Sequence, residues 1–259
     1  MGNVRSARLK IFRAAKHLKA IKACIADYAS ERPYTIVKSK RKDTVRITIR
    51  KPPPAEISIL AGEMIYQMRS ALDHLIFELI KSNPTSCVLP PKWDERCEFS
   101  IKDTLKPGQT TPLAASNFEG LPGLSMAAFT FIESVQPYYN YGAVNHCLRF
   151  LRILSNIDKH RRLQIVIGKF RKYDSIRLAS GLMAKGFETL HSGAEFPADP
   201  GLNGDPAVSV NRRYRATVHF DESSLGNAGT LAVDYILKLI LDQIRLVIFP
   251  AFEVMLIGP

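Results

Sequence analysis

The sequence predicts an α+β fold, a mainly helical bundle core with short antiparallel strands. Three observations lead there. Long stretches repeat apolar residues at helical spacing, shorter ones alternate apolar with polar, and prolines and glycines punctuate the joins. At 259 residues the chain is long enough to bury a sizeable core.

The first predicted helix covers residues 5–31, with Ile11/Phe12, Ala15, Leu18, Ile21, Cys24/Ile25 and Tyr28 as its apolar stripe. Lys10, Arg13, Lys16, Lys19 and Lys22 recur every three residues, mostly outside that stripe, so the helix is basic and amphipathic. Pro33 follows its end. Residues 34–38 and 44–50 then alternate around Lys40, Arg41, Lys42 and Asp43, which predicts a basic β-hairpin. Three prolines at 52–54 introduce a second helix over 55–81, with Ile57, Leu60/Ala61, Met64/Ile65, Met68, Leu72, Leu75/Ile76 and Leu79 facing the core. Residues 82–123 read as an irregular connection with a short strand at 97–101, and 125–135 as a helix ending before Pro137. A buried helix is expected over 144–160, strands over 163–167, 175–178 and 215–220, a loop over 193–209, and a last helix over 229–247. The domain reading is a basic helix and hairpin, 1–51, packed on a helical main domain, 52–259.

Charge is distributed unevenly. Residues 1–51 hold fifteen Lys/Arg against three Asp/Glu, whereas the remaining residues hold twenty-one of each. The whole net charge of +12 therefore sits in the first fifth of the chain. Such asymmetry points to an anionic partner, nucleic acid or a membrane surface, or else to a solvated helix face. No apolar run reaches the length of a membrane-spanning helix and no signal peptide is apparent, so a cytoplasmic location is expected. Four scattered cysteines without a Cys-x-x-Cys pair favour reduced thiols, and no metal site or cofactor is expected.

Chemistry concentrates in two strings, Arg69-Ser70-Ala71-Leu72-Asp73-His74 and Asn156-Ile157-Asp158-Lys159-His160-Arg161. At 100° per residue, Arg69 and Asp73 share one helix face while His74 stacks over Ser70. Arg69 borders the apolar stripe, where a guanidinium needs a carboxylate or phosphate beside it. Asp158 extends the line of Leu151 and Leu154 toward the interior, so the polar ends of the two helices are expected to meet.

The first string resembles the Arg-x4-6-His motif of the HEPN superfamily, and the two strings together resemble a bacterial family that carries both. The HEPN resemblance implies a metal-independent endoribonuclease of the toxin or defence kind. Arg69 would hold the scissile phosphate, His74 would act as general acid or base, and the site would form in a homodimer. Ser70 departs from the commonest form of that motif, in which Asn, Asp or His follows the arginine. In this catalytic reading Ser70, Asp73, Asn156, Asp158, His160 and Arg161 support the pair. Two other readings stand beside it. In one, Arg69, Asp73, Asn156 and Asp158 form a structural polar network with His74 and His160 as partners, while Lys10, Arg13, Lys16, Lys19, Lys22, Lys40, Arg41 and Lys42 bind nucleic acid. In the other, the amphipathic first helix docks on a protein partner.

Overall fold

The computed structural model describes residues 4–38, 40, 44–82, 92–103, 123–139, 146–177, 183–189, 195–197, 217–222, 224–225 and 231–257. Its fold is α+β and mainly helical, with two small antiparallel sheets.

The core is organised by α2 (Ala55–Ser82), whose apolar positions recur at every turn. Met64, Ile65, Met68, Leu72, Leu75 and Ile76 are essentially inaccessible to solvent. Each such side chain contributes roughly 1.5–3 kcal/mol by leaving water, so this one helix anchors much of the bundle. Against it runs α1 (Arg5–Ser30), burying Ala7, Ile11, Ala14, Leu18, Ile21 and Tyr28. Phe12, expected within the apolar stripe, stands 58% exposed. The buried line runs instead through Ala7, Ile11, Ala14, Leu18, Ile21 and Tyr28, with Ala15, Cys24 and Ile25 partly buried at its edge.

Between these helices lies the expected hairpin, β1 (Tyr34–Lys38) and β2 (Thr44–Ile49), in register from Tyr34↔Ile49 to Lys38↔Val45. Its base is tied down by Tyr28, whose hydroxyl donates to the Lys51 carbonyl at 2.6 Å. Four more helical elements complete the bundle: α3 (Met126–Ser134), α4 (Cys147–His160), α5 (Val233–Gln243) and α6 (Phe249–Ile257). Ser125 caps α3 by accepting from the Ala128 amide. His146 caps α4, its Nδ1 accepting from the Leu148 amide at 3.2 Å.

Several expectations are corrected. The segment at 97–101 is extended but unpaired in any described sheet, held instead by side chains of neighbouring helices. Residues 163–167 and 175–178 belong for the most part to one strand, β3 (Ile165–Arg177), with a register shift between Phe170 and Ser175. It lies between β4 (Met183–Thr189) and β6 (Thr217–Phe220). Both β4 and the three-residue β5 (Glu195–Pro197), which extends the hairpin sheet beside β2, are unexpected because neither alternates cleanly. The last helix does not stop at 247. A π-helical turn, Ile244–Ile248, carries α5 into α6, and Pro250 falls in the first turn of α6, where its missing N–H breaks no hydrogen bond within α6.

Side chains from α1 belong to the same buried cluster as those from α2, α4, α5 and α6. Among the described residues no helix is long and apolar enough to cross a membrane.

Candidate nucleic-acid interface

Helical geometry divides Arg69 from His74, and the surrounding elements widen the division. Arg69, with its side chain 16% exposed, has an Nη2 that lies 3.5 Å from Glu98 and 3.9 Å from Asp73. Asp73 accepts the Phe99 amide at 2.8 Å. Burial raises the Asp73 pKa, while Arg69 and the Phe99 amide pull it back toward the ionised form. His74 faces α1 instead, its Nδ1 2.7 Å from the Ser6 hydroxyl. Desolvation, with Lys10 nearby, lowers its pKa and favours the neutral ring. Each member of the expected catalytic pair thus has its own partners, one toward residues 97–99 and one toward the start of α1. Ser70, next to Arg69, is partly buried.

The expected meeting of Asp158 with Arg69 is not what the fold makes. Asp158 lies instead against Gly62, two helical turns before Arg69. An ideal Cβ at position 62 would sit less than 3.0 Å from all three atoms of that carboxylate, so the bare backbone of glycine is what lets α4 deliver it there. Asn156 and His160 are exposed and join neither centre. Arg161 forms a two-pronged pair with Glu222, at 3.1 and 2.6 Å, and Glu222 also accepts the Gln164 amide at 3.0 Å. With a side chain only 2% exposed, Glu222 needs those donors. The second string therefore ends in a structural clamp between the end of α4 and the residue pair after β6.

An open, basic surface remains on the outer flank of α1. Arg13, Lys16, Lys19 and Lys22 are exposed, and among the described residues none has an ion-pair partner. Lys10 lies over the Tyr66 ring at 5.3 Å and Lys16 over the Phe12 ring at 4.7 Å. Tyr66, 62% exposed, and Phe12 thus offer ring faces beside the cations. Of the hairpin cations, Lys40 is exposed, while Arg41 and Lys42 lie outside the described residues. Between α1, α2 and α4 this surface opens into a groove of about 370 Å³, lined by Arg13, His17, Gly62, Glu63, Tyr66, Gln67 and Asp158. His17 Nδ1 stands 3.3 Å from Glu63 on one wall.

Sequence reasoning missed Gly62, Tyr66, His17 and Glu63 in this groove, and Ser6, Glu98 and Glu222 as partners elsewhere. A glycine inside an otherwise regular helical pattern was the one available signal, since it costs about 1 kcal/mol there and marks a close approach. Among the described residues no group of His, Cys, Asp and Glu could hold a metal ion. No protein-family model, no curated protein and no solved structure matches this chain. What the fold and surface define is a class: a helical α+β bundle with a basic, aromatic-bearing outer helix.

Proposed function

We propose that the protein binds single-stranded nucleic acid, RNA in the first instance, along the outer flank of α1. The observation that carries the reading is the set of exposed cations Arg13, Lys16, Lys19 and Lys22, which have no ion-pair partner among the described residues, together with the exposed rings of Phe12 and Tyr66 beside them. From Lys10 to Lys22 the helix spans about 18 Å, enough to follow several phosphates of one strand. Exposed ring faces are useful to unstacked bases and not to paired ones, which favours a single strand over a duplex. RNA is preferred to DNA because of the resemblance to HEPN proteins.

Cleavage by Arg69 and His74 is less well supported, since the two side chains leave α2 toward different partners. A homodimer could bring Arg69 of one copy near His74 of another, and cleavage would then require release of the Glu98 and Ser6 contacts.

Anisotropy of a labelled 15-nucleotide RNA, measured between 50 and 200 mM salt, tests the binding reading. Affinity should fall with log salt at a slope of about −0.7 per neutralised phosphate, hence about −3 for four or five contacts. Replacing Lys16, Lys19 and Lys22 together by alanine should reduce the slope by about 2 and leave the fold intact. Absence of binding at 50 mM salt, or affinity indifferent to salt, would sink the proposal.

A further inference from the structure

We propose that the groove between α1, α2 and α4 is a nucleobase pocket selective for guanine, with the Asp158 carboxylate reading the base. The inference rests on the RNA-binding reading above and names what that surface selects.

Asp158 is partly withdrawn from water, yet among the described residues it has neither a hydrogen-bond donor nor a cation beside it. Its burial is uncompensated, and desolvation accordingly raises its pKa. Most carboxylates in such positions are paired, as Asp73, Asp103 and Glu222 are here. Asp158 instead lines a groove of about 370 Å³ that is large enough for a flat heterocycle. Gly62 leaves both oxygens lying against α2, where a side chain would displace them.

The neighbouring groups narrow the occupant. Tyr66 lines the groove and also bears the Lys10 contact, so a base entering beside it would meet an aromatic ring with an ammonium close by. Arg13 lines the same groove and belongs to the basic flank, which places a phosphate site next to the base site. An ionised carboxylate is an acceptor only, with two oxygens side by side. Among the four RNA bases, guanine alone presents two adjacent donors on one edge, N1–H and the N2 amine. Adenine and cytosine pair an amine with a ring acceptor that would face the second oxygen, and uracil sets one N–H between two carbonyls. The carboxylate therefore accepts two hydrogen bonds from guanine and one or fewer from any other base.

The test uses the full chain and labelled 12-nucleotide strands: oligouridine, the same strand with one central guanosine, and strands carrying adenosine or inosine at that position. One guanosine should tighten binding roughly tenfold over adenosine, and inosine, which lacks the N2 amine, should lose most of that gain. Asp158→Asn should abolish the preference for guanosine over adenosine strands, read as the ratio of the two affinities, because the loss of one negative charge acts on all strands alike while the guanine fork is lost for one. Gly62→Ala keeps the charge but moves the carboxylate, and should abolish the preference as well. Thermal melts of both variants confirm that they fold. Equal affinity of the wild-type chain for guanosine and adenosine strands would overturn the pocket and leave the binding surface standing, as would a preference that survives in Asp158→Asn. Failure of every strand to bind would overturn both.

Discussion

One stripe of α2 carries two polar centres two turns apart, and they have been resolved in opposite ways. At Arg69 and Asp73 the stripe meets residues 97–103, a segment fastened on every side. Phe99 is fully buried and its amide binds Asp73; Trp93 stacks on Phe77 with ring centroids 5.2 Å apart; Gln136 binds both Lys102 and Ser100; Asp103 pairs with Arg152 and Arg149. At Gly62 and Tyr66 the same stripe meets α1 and α4 across an open groove, with Asp158 and Arg13 unpaired among the described residues. Near-saturation marks a structural centre: the carboxylates, amides and Gln136 there are satisfied within the chain, and Arg69 Nη1 is the buried exception, with no hydrogen-bond partner among the described residues. Unsatisfied groups lining a groove mark a place where a ligand can add what is missing.

The largest expected effect comes from acid, on the fastened side. Burial pulls the His146 pKa down to about 4 from the 6.5 of an exposed histidine. Between those values the unfolded chain binds a proton that the native state refuses, so stability falls as pH drops from about 6.5 toward 4, by roughly 3 kcal/mol in all. Protonation also removes the Nδ1 acceptor that caps α4. His146→Asn, a capping residue that does not titrate, should flatten this window in urea denaturation measured at successive pH values. An unchanged pH profile would show that another group controls acid unfolding.

Next in size, Asp73→Ala should cost about 2 kcal/mol, because it strands the Phe99 amide and leaves Arg69 with Glu98 alone. Denaturant midpoints report the loss, and RNA affinity of the folded fraction should not change. A stable variant that no longer bound RNA would invert the comparison between the two centres. On the open side, Gly62→Ala should leave stability unchanged or raise it by up to about 1 kcal/mol. Alanine favours the helix, and what must move is only the flexible end of Asp158. A loss above 2 kcal/mol would mean that the carboxylate position is structural.

The smallest effect is expected at His74. Its alanine variant loses one bond to Ser6, worth about 1 kcal/mol or less, and neither it nor the wild-type chain should shorten a labelled RNA between pH 5 and 8. Wild-type cleavage that His74→Ala abolishes would restore the nuclease reading.

Much of the architecture was legible in order. Helices whose apolar residues recur every turn, α1, α2 and α4, declared themselves because that periodicity reflects burial on one face. The hairpin followed from alternation bounded by Pro33 and the proline run at 52–54. Strands β4 and β5 did not declare themselves, since their pairing is made by backbone groups that carry no side-chain signal. The two polar strings stand out in the sequence, yet their partners do not. Glu98 lies outside both strings, and Glu222 lies 61 residues beyond Arg161.

What the sequence alone determined was the concentration of charge in residues 1–51, which is composition, and the helical α+β class and the separation of Arg69 from His74, which depend on periodicity and on the 100° step of a helix. The tertiary structure decided which polar groups meet. Asp158, near the end of α4, lies against Gly62 and not against Arg69, in a space that a side chain at position 62 would fill. The glycine within the helical pattern marks a close approach, but no local pattern in the chain names the residue that comes there.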